Sequence, residues 1–228
     1  MQFTYFKDLK FNFETPVVKQ HTDFGKVYIP YTTVYFPISV ESEDLDSQKF
    51  YDTLMRDSIW ESWIPNRDYN LRHKYKLGTS IILDDLTNII SHVHRETLIK
   101  QCYESNPDVF HYYWQRGIDF YLRRGYVNVQ ILKDSPGFYM DVHKDNNEII
   151  GQYIVNLLNN DKAATTFYNL NPDSIQYKAT GERKKGVGFL NTCASAHNIE
   201  GITRPRYILY FSVLQDTYGP DHITHTID

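Results

Sequence analysis

The feature that most constrains this fold is a change of hydrophobic period at Gly125. Upstream, in LDDLTNIISHVHRETLIKQC, residues Leu86, Ile89, Ile90 and Val93 recur at helical spacing, and Asp84 or Asp85 can cap the start. In NPDVFHYYWQRGIDFYLRRG, Asn106 and Pro107 open a helix and Gly125 closes it, with Phe110, Tyr113, Trp114 and Tyr121 on one face. Downstream the period becomes two: YVNVQIL, FYMDVH, GQYIVNLLN, TTFYNL, GVGFLNT and PRYILYFSVL read as strands, with a turn at Pro136-Gly137. Helices followed by clustered strands predict an α+β domain in which helices cover one side of a mainly antiparallel sheet system, with a sandwich or jelly-roll core.

The first forty residues are rich in strand formers. Val27 to Ile29 before Pro30, and Val34 to Phe36 before Pro37, predict short extended pieces punctuated by the prolines. ESEDLDSQ leads into a short helix through Phe50, Leu54 and Trp60. With 228 residues and no linker-like stretch, the chain is expected to form a single domain: residues 1–125 as strands and buttressing helices, 126–215 as the core, and 216–228 as a polar tail. The net charge of −4 argues against a strong electrostatic grip on nucleic acid. Cys102 and Cys193 stand alone and fit free thiols in a reducing compartment. There is no apolar leader and no run of membrane-spanning length, so the expected setting is cytoplasmic and away from membranes.

Chemistry concentrates in three places. In FYMDVHKD, strand alternation is expected to put Tyr139, Asp141 and His143 on one face, with Asp145 two residues on, so that an imidazole and a carboxylate meet beside one metal. In VGFLNTCASAHNIEG, His197 follows a strand and supplies a second imidazole. Nine residues later Arg206 opens an apolar strand on the face it shares with Ile208 and Tyr210. An arginine aimed at a core is costly unless an anion pairs with it, and a carboxylate suits its forked geometry. Singly these are ordinary: HxD is a common polar strand end, and lone histidines are mostly structural. Two histidines and one carboxylate leave open positions on a non-haem ferrous ion.

The order HxD, about fifty residues, H, then R nine further resembles the Fe(II)- and 2-oxoglutarate-dependent dioxygenase superfamily over roughly Tyr126 to Val213. The resemblance implies a double-stranded β-helix of the jelly-roll, cupin-like kind, with the N-terminal helices packed on its major sheet. It implies that His143, Asp145 and His197 bind iron, that 2-oxoglutarate chelates this iron, and that Arg206 holds its far carboxylate. With O2, the cosubstrate becomes succinate and CO2 while a substrate is hydroxylated, or demethylated when the oxidised carbon sits on a heteroatom. Many members carry a hydroxyl two residues after the arginine, where this chain has Ile208; Tyr139, Tyr153, Asn128 and Gln130 are candidates to help instead. Members that halogenate lack the carboxylate that Asp145 supplies, which disfavours halogenation. The substrate is expected to be a small molecule or a peptidyl residue.

WESWIPNRDYNLRHKYK interleaves aromatic and basic residues; it fits a lid over the site better than a nucleic-acid surface. Two other functions use the same residues: a zinc hydrolase with Glu148 as base, which leaves Arg206 without a role, and a non-enzymatic jelly-roll binding module.

Overall fold

The computed structural model describes residues 2–23, 26–63, 71–160, 165–168 and 175–215. The tail 216–228 and the middle of the basic-aromatic stretch, with Arg67 and Tyr69, lie outside them. Strands β1 (Lys10–Phe13), β2 (Val17–Asp23) and β3 (Lys26–Glu41) come first, then α1 (Glu43–Asp46), α2 (Gln48–Leu54), β4 (Trp60–Ser62) and β5 (Arg72–Tyr75). Helices α3 (Ile81–Asn88), α4 (Arg95–Ser105), α5 (Pro107–Trp114) and α6 (Ile118–Arg124) follow. The rest is β6 (Tyr126–Asp134), β7 (Met140–His143), β8 (Ile149–Asn156), β9 (Thr165–Tyr168), β10 (Ile175–Lys178), β11 (Lys185–Leu190), β12 (His197–Ile199) and β13 (Arg206–Leu214).

Among the described residues the strands form two antiparallel sheets. The larger runs β1-β3-β11-β8-β13-β6-β5-β4, with β2 also on β3; the smaller runs β10-β9-β12-β7. This is the expected α+β jelly-roll arrangement, with helices on one face of the large sheet. Strand alternation divides the structure in two. Tyr153, Val155, Leu209, Phe211 and Val213 join Leu83, Leu86, Leu98, Ile99 and Phe110 of the helices in the main core. Ile154 and Ile208, one residue out of step, face inward with Phe167, Val187 and Phe189 to form the core between the sheets. One face of each central strand therefore serves stability and the other encloses space.

Four local expectations need correcting. The helix expected to run through Trp60 ends at Leu54, and Trp60 instead opens β4. β3 is one continuous strand rather than two pieces broken by proline. Pro37 is tolerated because β1 pairs with Ile38 to Glu41 and β2 pairs no further along than Tyr35, so its missing N–H falls in the gap between them. Helix α3 starts after Ser80, and the two aspartates serve elsewhere. Asp84 accepts from Gly78 N and Tyr75 Oη, while Asp85 accepts from the backbone N–H groups of Thr4 and Tyr5. The helix expected from Asn106 to Gly125 is split at Gln115, which takes a left-handed φ of 48°. The Tyr121 hydroxyl donates to Trp114 O at 2.6 Å and ties the halves together. Asn106 does cap α5, accepting from Val109 N. Neither cysteine is in a disulfide, and burial pushes the Cys102 thiol up to about 12. No helix among the described residues is long and apolar enough to cross a membrane.

One tight point of the large sheet lies where Phe36 covers Gly188. A Cβ there would come within 2.2 Å of Phe36 Cε2. Gly188→Ala should lower stability by about 1–3 kcal/mol, the usual cost of overpacking. Urea unfolding should move to a lower midpoint with an unchanged slope; an unchanged midpoint would mean that the Phe36 ring can step aside freely.

Candidate metal centre

The smaller sheet brings the two histidines together. In the antiparallel pairing of β12 with β7, His197 lies opposite His143, and Ile199 lies opposite Met140. Two steps on β12 thus span three on β7, which is a β-bulge. The extra residue resets the alternation, so Met140 and His143 both face the cavity between the sheets. Tyr139 is turned outward and is 63% exposed. The expectation that Tyr139 shares the face of His143 is therefore corrected, because unbroken alternation does not survive the bulge.

Asp145 follows in the loop after β7. One ligating atom from each of His143, Asp145 and His197 lies within 4.8 Å of the others. Each imidazole is oriented by its own backbone. His143 Nδ1 lies 2.7 Å from Asp141 O, and His197 Nδ1 lies 2.9 Å from Ser195 O. A carbonyl only accepts, so each Nδ1 carries the proton and each Nε2 keeps its lone pair. Those Nε2 atoms face the same carboxylate: His143 Nε2 is 3.9 Å from Asp145 Oδ1, and His197 Nε2 is 3.4 Å from Asp145 Oδ2. Asp145 Oδ2 is buried without a hydrogen-bond partner. Burial lowers the pKa of His197, with the Asp145 carboxylate opposing, so the neutral ligating form is favoured. Two imidazole lone pairs and an orphaned carboxylate oxygen pointing at one spot repel each other unless a cation lies between them. The donor set fits a first-row divalent metal, and the backbone bonds to Nδ1 are the outer support such ligands need.

The other end of the same cavity is built by the large sheet. Arg206 on β13 pairs in register with Asp134 on β6, and Asp134 pairs in register with Arg72 on β5. These cross-strand neighbours form a buried charge row. Arg206 donates to Asp134 Oδ2 from Nε at 3.0 Å and Nη2 at 2.7 Å; Arg72 donates to Oδ1 from Nε at 2.6 Å and to Oδ2 from Nη2 at 2.9 Å. Burial raises the Asp134 pKa, but the two guanidinium groups outweigh it and hold the carboxyl below its ordinary range. Arg206 thus has the anion its burial demands, and that anion comes from the protein.

Between the two ends lies a cavity of about 90 Å³. Arg72, Gln130, Gln152, Arg206 and Tyr210 line it together with the three metal-site residues, and Trp63, Leu132, Met140, Ile154, Ile199 and Ile208 supply its apolar walls. Gln130 lies on the cavity wall, accepting from Trp63 Nε1 at 3.2 Å. Asn128 and Tyr153 require correction. Asn128 is exposed, two residues nearer the start of β6. Tyr153 is on the opposite face of β8, buried in the helix-covered core, where its hydroxyl donates to Leu98 O. Glu148 is exposed and outside the cavity.

The residues that sequence reasoning missed are Arg72, Asp134 and Gln152. Each left a faint signal: a charge ending the apolar run YVNVQILKD, an amide near the start of the buried run GQYIVNLL, and alternating bases in LRHKY. A second cavity of about 350 Å³ lies on the far side of Asp145, lined by Tyr113, Trp114, Lys144, Asn147, Asn191 and others. Asp145 lines both spaces.

No family model and no curated protein matches this sequence. Solved structures do resemble it in fold. A prolyl hydroxylase from Trichoplax adhaerens, in complex with a hypoxia-inducible-factor oxygen degradation domain peptide fragment, is 11% identical with a TM-score of 0.55, covering 80% of this chain and 84% of its own. A Pseudomonas putida prolyl-4-hydroxylase is 10% identical with a TM-score of 0.51, covering 88% and 93%. The non-haem α-ketoglutarate-dependent epimerase SnoN from nogalamycin biosynthesis is 10% identical with a TM-score of 0.50, covering 83% and 82%. The shared fold is the jelly roll of the 2-oxoglutarate-dependent oxygenases.

Asp134→Asn leaves two buried guanidinium groups against a neutral amide and should cost about 3–5 kcal/mol at neutral pH. Because the Asp134 pKa is lowered in the folded state, its stabilisation is present above the unfolded value near about 4 and is lost as pH falls toward the folded value. Denaturant melts should show the gap between parent and variant narrowing below about pH 4. A gap that stays constant down to pH 2 would deny Asp134 its charged role.

Proposed function

We propose that this chain is an Fe(II)- and 2-oxoglutarate-dependent oxygenase. It would hydroxylate, or oxidatively demethylate, a small-molecule or peptidyl substrate, with release of succinate and CO2. The observation that carries the reading is the convergence of two Nε2 lone pairs on the Asp145 carboxylate, whose Oδ2 is buried without a hydrogen-bond partner. It occurs in a jelly-roll cavity whose opposite wall is a buried arginine. His143, Asp145 and His197 would hold Fe(II), and Arg206 would hold the far carboxylate of 2-oxoglutarate, with the Gln130 amide beside it. When bound, the iron and its 2-oxo acid supply the activation of O2.

The protein's own part is to position and to exclude. The Asp141 and Ser195 carbonyls orient both imidazoles by accepting from Nδ1, which leaves each Nε2 toward the metal position. Leu132, Ile154, Ile199 and Ile208 keep bulk water from the inner cavity, where fixed charges act more strongly than in water. The larger space beyond Asp145, walled by Tyr113 and Trp114 and edged by Lys144, suits the substrate. A peptide occupies the Trichoplax prolyl hydroxylase, which favours testing peptidyl substrates first. The zinc-hydrolase reading loses its base, since Glu148 is exposed. The reading as a binding module leaves the orphaned oxygen without an explanation.

Anaerobic addition of Fe(II) and then 2-oxoglutarate should produce a weak visible charge-transfer band, and admission of air should yield succinate. His143→Ala should abolish both while leaving the thermal transition of the metal-free protein nearly in place, because His143 lies at the cavity rim. Arg206→Gln should weaken 2-oxoglutarate binding about tenfold or more while iron binding stays within about twofold, as expected for a lost charge-assisted contact. A parent protein with neither band nor succinate would sink the proposal.

A further inference from the structure

We infer that Arg72, contributed by β5 from the N-terminal half of the chain, is a second anchor for the far carboxylate of the 2-oxo acid. It takes the part for which Ile208 has no hydroxyl. The inference rests on the oxygenase reading and extends it to a residue outside the stretch that carries the sequence resemblance.

The argument starts from charge. Asp134 is fully buried, Arg206 is 1% exposed and Arg72 is 7% exposed. Two guanidinium groups against one carboxylate leave one positive charge in excess, removed from water. A single buried carboxylate needs one cationic partner, and Arg206 already gives Asp134 two hydrogen bonds. A second buried cation costs desolvation energy that its share of Asp134 does not obviously return. A second anion would return it, and the place for that anion is the cavity that both arginines line.

Geometry agrees. Arg72 Nε and Nη2 are taken by Asp134, whereas Nη1 lies 3.4 Å from Met140 Sδ, a weak acceptor on the cavity wall. The guanidinium is held between aromatic faces, 4.2 Å from the Phe138 ring and 5.4 Å from the Trp63 ring, so its plane is set before any ligand arrives. The cavity is also built for a polar guest. Gln152 is 1% exposed, lines the space, and has neither its amide nitrogen nor its amide oxygen hydrogen-bonded. A buried amide with both ends unpaired is costly in an apolar void and is natural beside a carboxylate and its water.

The test separates contact with the far carboxylate from a merely structural role. Two ligands are compared in anaerobic Fe(II)-loaded protein through the charge-transfer band. One is 2-oxoglutarate. The other is 2-oxopentanoate, which has the same chain length with a methyl in place of the far carboxylate. Arg72→Gln should weaken 2-oxoglutarate about ten- to a hundredfold, the range of one charge-assisted contact, and should leave 2-oxopentanoate within about twofold. Quenching or shift of tryptophan fluorescence on adding 2-oxoglutarate should fall in parallel, because Trp63 stacks on Arg72. Equal weakening of both ligands, or of neither, overturns the assignment while the oxygenase reading stands. If the parent protein binds neither ligand, both fall together. Should Arg72→Gln not fold, Arg72→Lys carries the same comparison: it keeps the charge, loses the fork, and should still lower the preference for 2-oxoglutarate, an unchanged preference being the contrary result.

Discussion

The carboxylate of Asp134 is the constraint on which the inner cavity depends. It sits on the central of three adjacent strands, in register with an arginine on either side. Without it, two guanidinium groups would face each other in a space walled by isoleucine and leucine, and β5 would be repelled from the sheet rather than held on it. With it, the N-terminal half of the chain is joined to the jelly roll by a charge-assisted fork rather than by apolar packing alone. The same fork leaves the cavity with a surplus positive charge at one end. At the other end, His143, Asp145 and His197 converge on a point that demands a cation. Both ends open into one enclosure.

The two ends are made by different means. The arginine end comes from regular cross-strand pairing, so any residue at those register positions would be brought together. The histidine end comes from an irregularity. Regular alternation would have aimed Asp141 inward with His143; the bulge instead frees the Asp141 carbonyl to accept from His143 Nδ1 and turns the Asp141 side chain to solvent. A local break in the ladder thereby sets the tautomer of a ligand. The strand that carries this break is short and partly exposed, so tuning the metal site costs the main core little.

Much of this was legible in the residues. The switch from helical to alternating period at Gly125 marked the boundary between buttress and core, and the positions of His143, Asp145, His197 and Arg206 marked the cavity. What escaped is instructive. The face of Tyr139 could not be read, because a bulge is a property of two strands and only one was under inspection. Tyr153 was misassigned because β8 is buried on both faces, which removes the period-two signal that would have told inside from outside. Arg72 lay in a stretch that reads as surface loop; only the pairing of β5 with β6 shows that it is buried. Pro37 looked like a strand breaker because its tolerance depends on where β1 stops and β2 starts.

The two faces of β8 show how the structure keeps stability and chemistry apart. Gly151 and Tyr153 face the helices: a Cβ on Gly151 would come within 2.5 Å of Cys102 Sγ, and Tyr153 Oη lies 3.2 Å from the same sulfur. That face is filled to contact, and burial pushes the tyrosine hydroxyl well above its ordinary pKa, leaving it a neutral hydrogen-bonding group. One residue out of step, Gln152 faces the cavity with its amide unsatisfied. Dense packing on the helix side makes the strand rigid enough to hold an unpaired amide in place on the other, since a looser strand would rotate to hydrate it. The energetic cost of the inner polar groups is therefore offset by the outer apolar ones on the same strand.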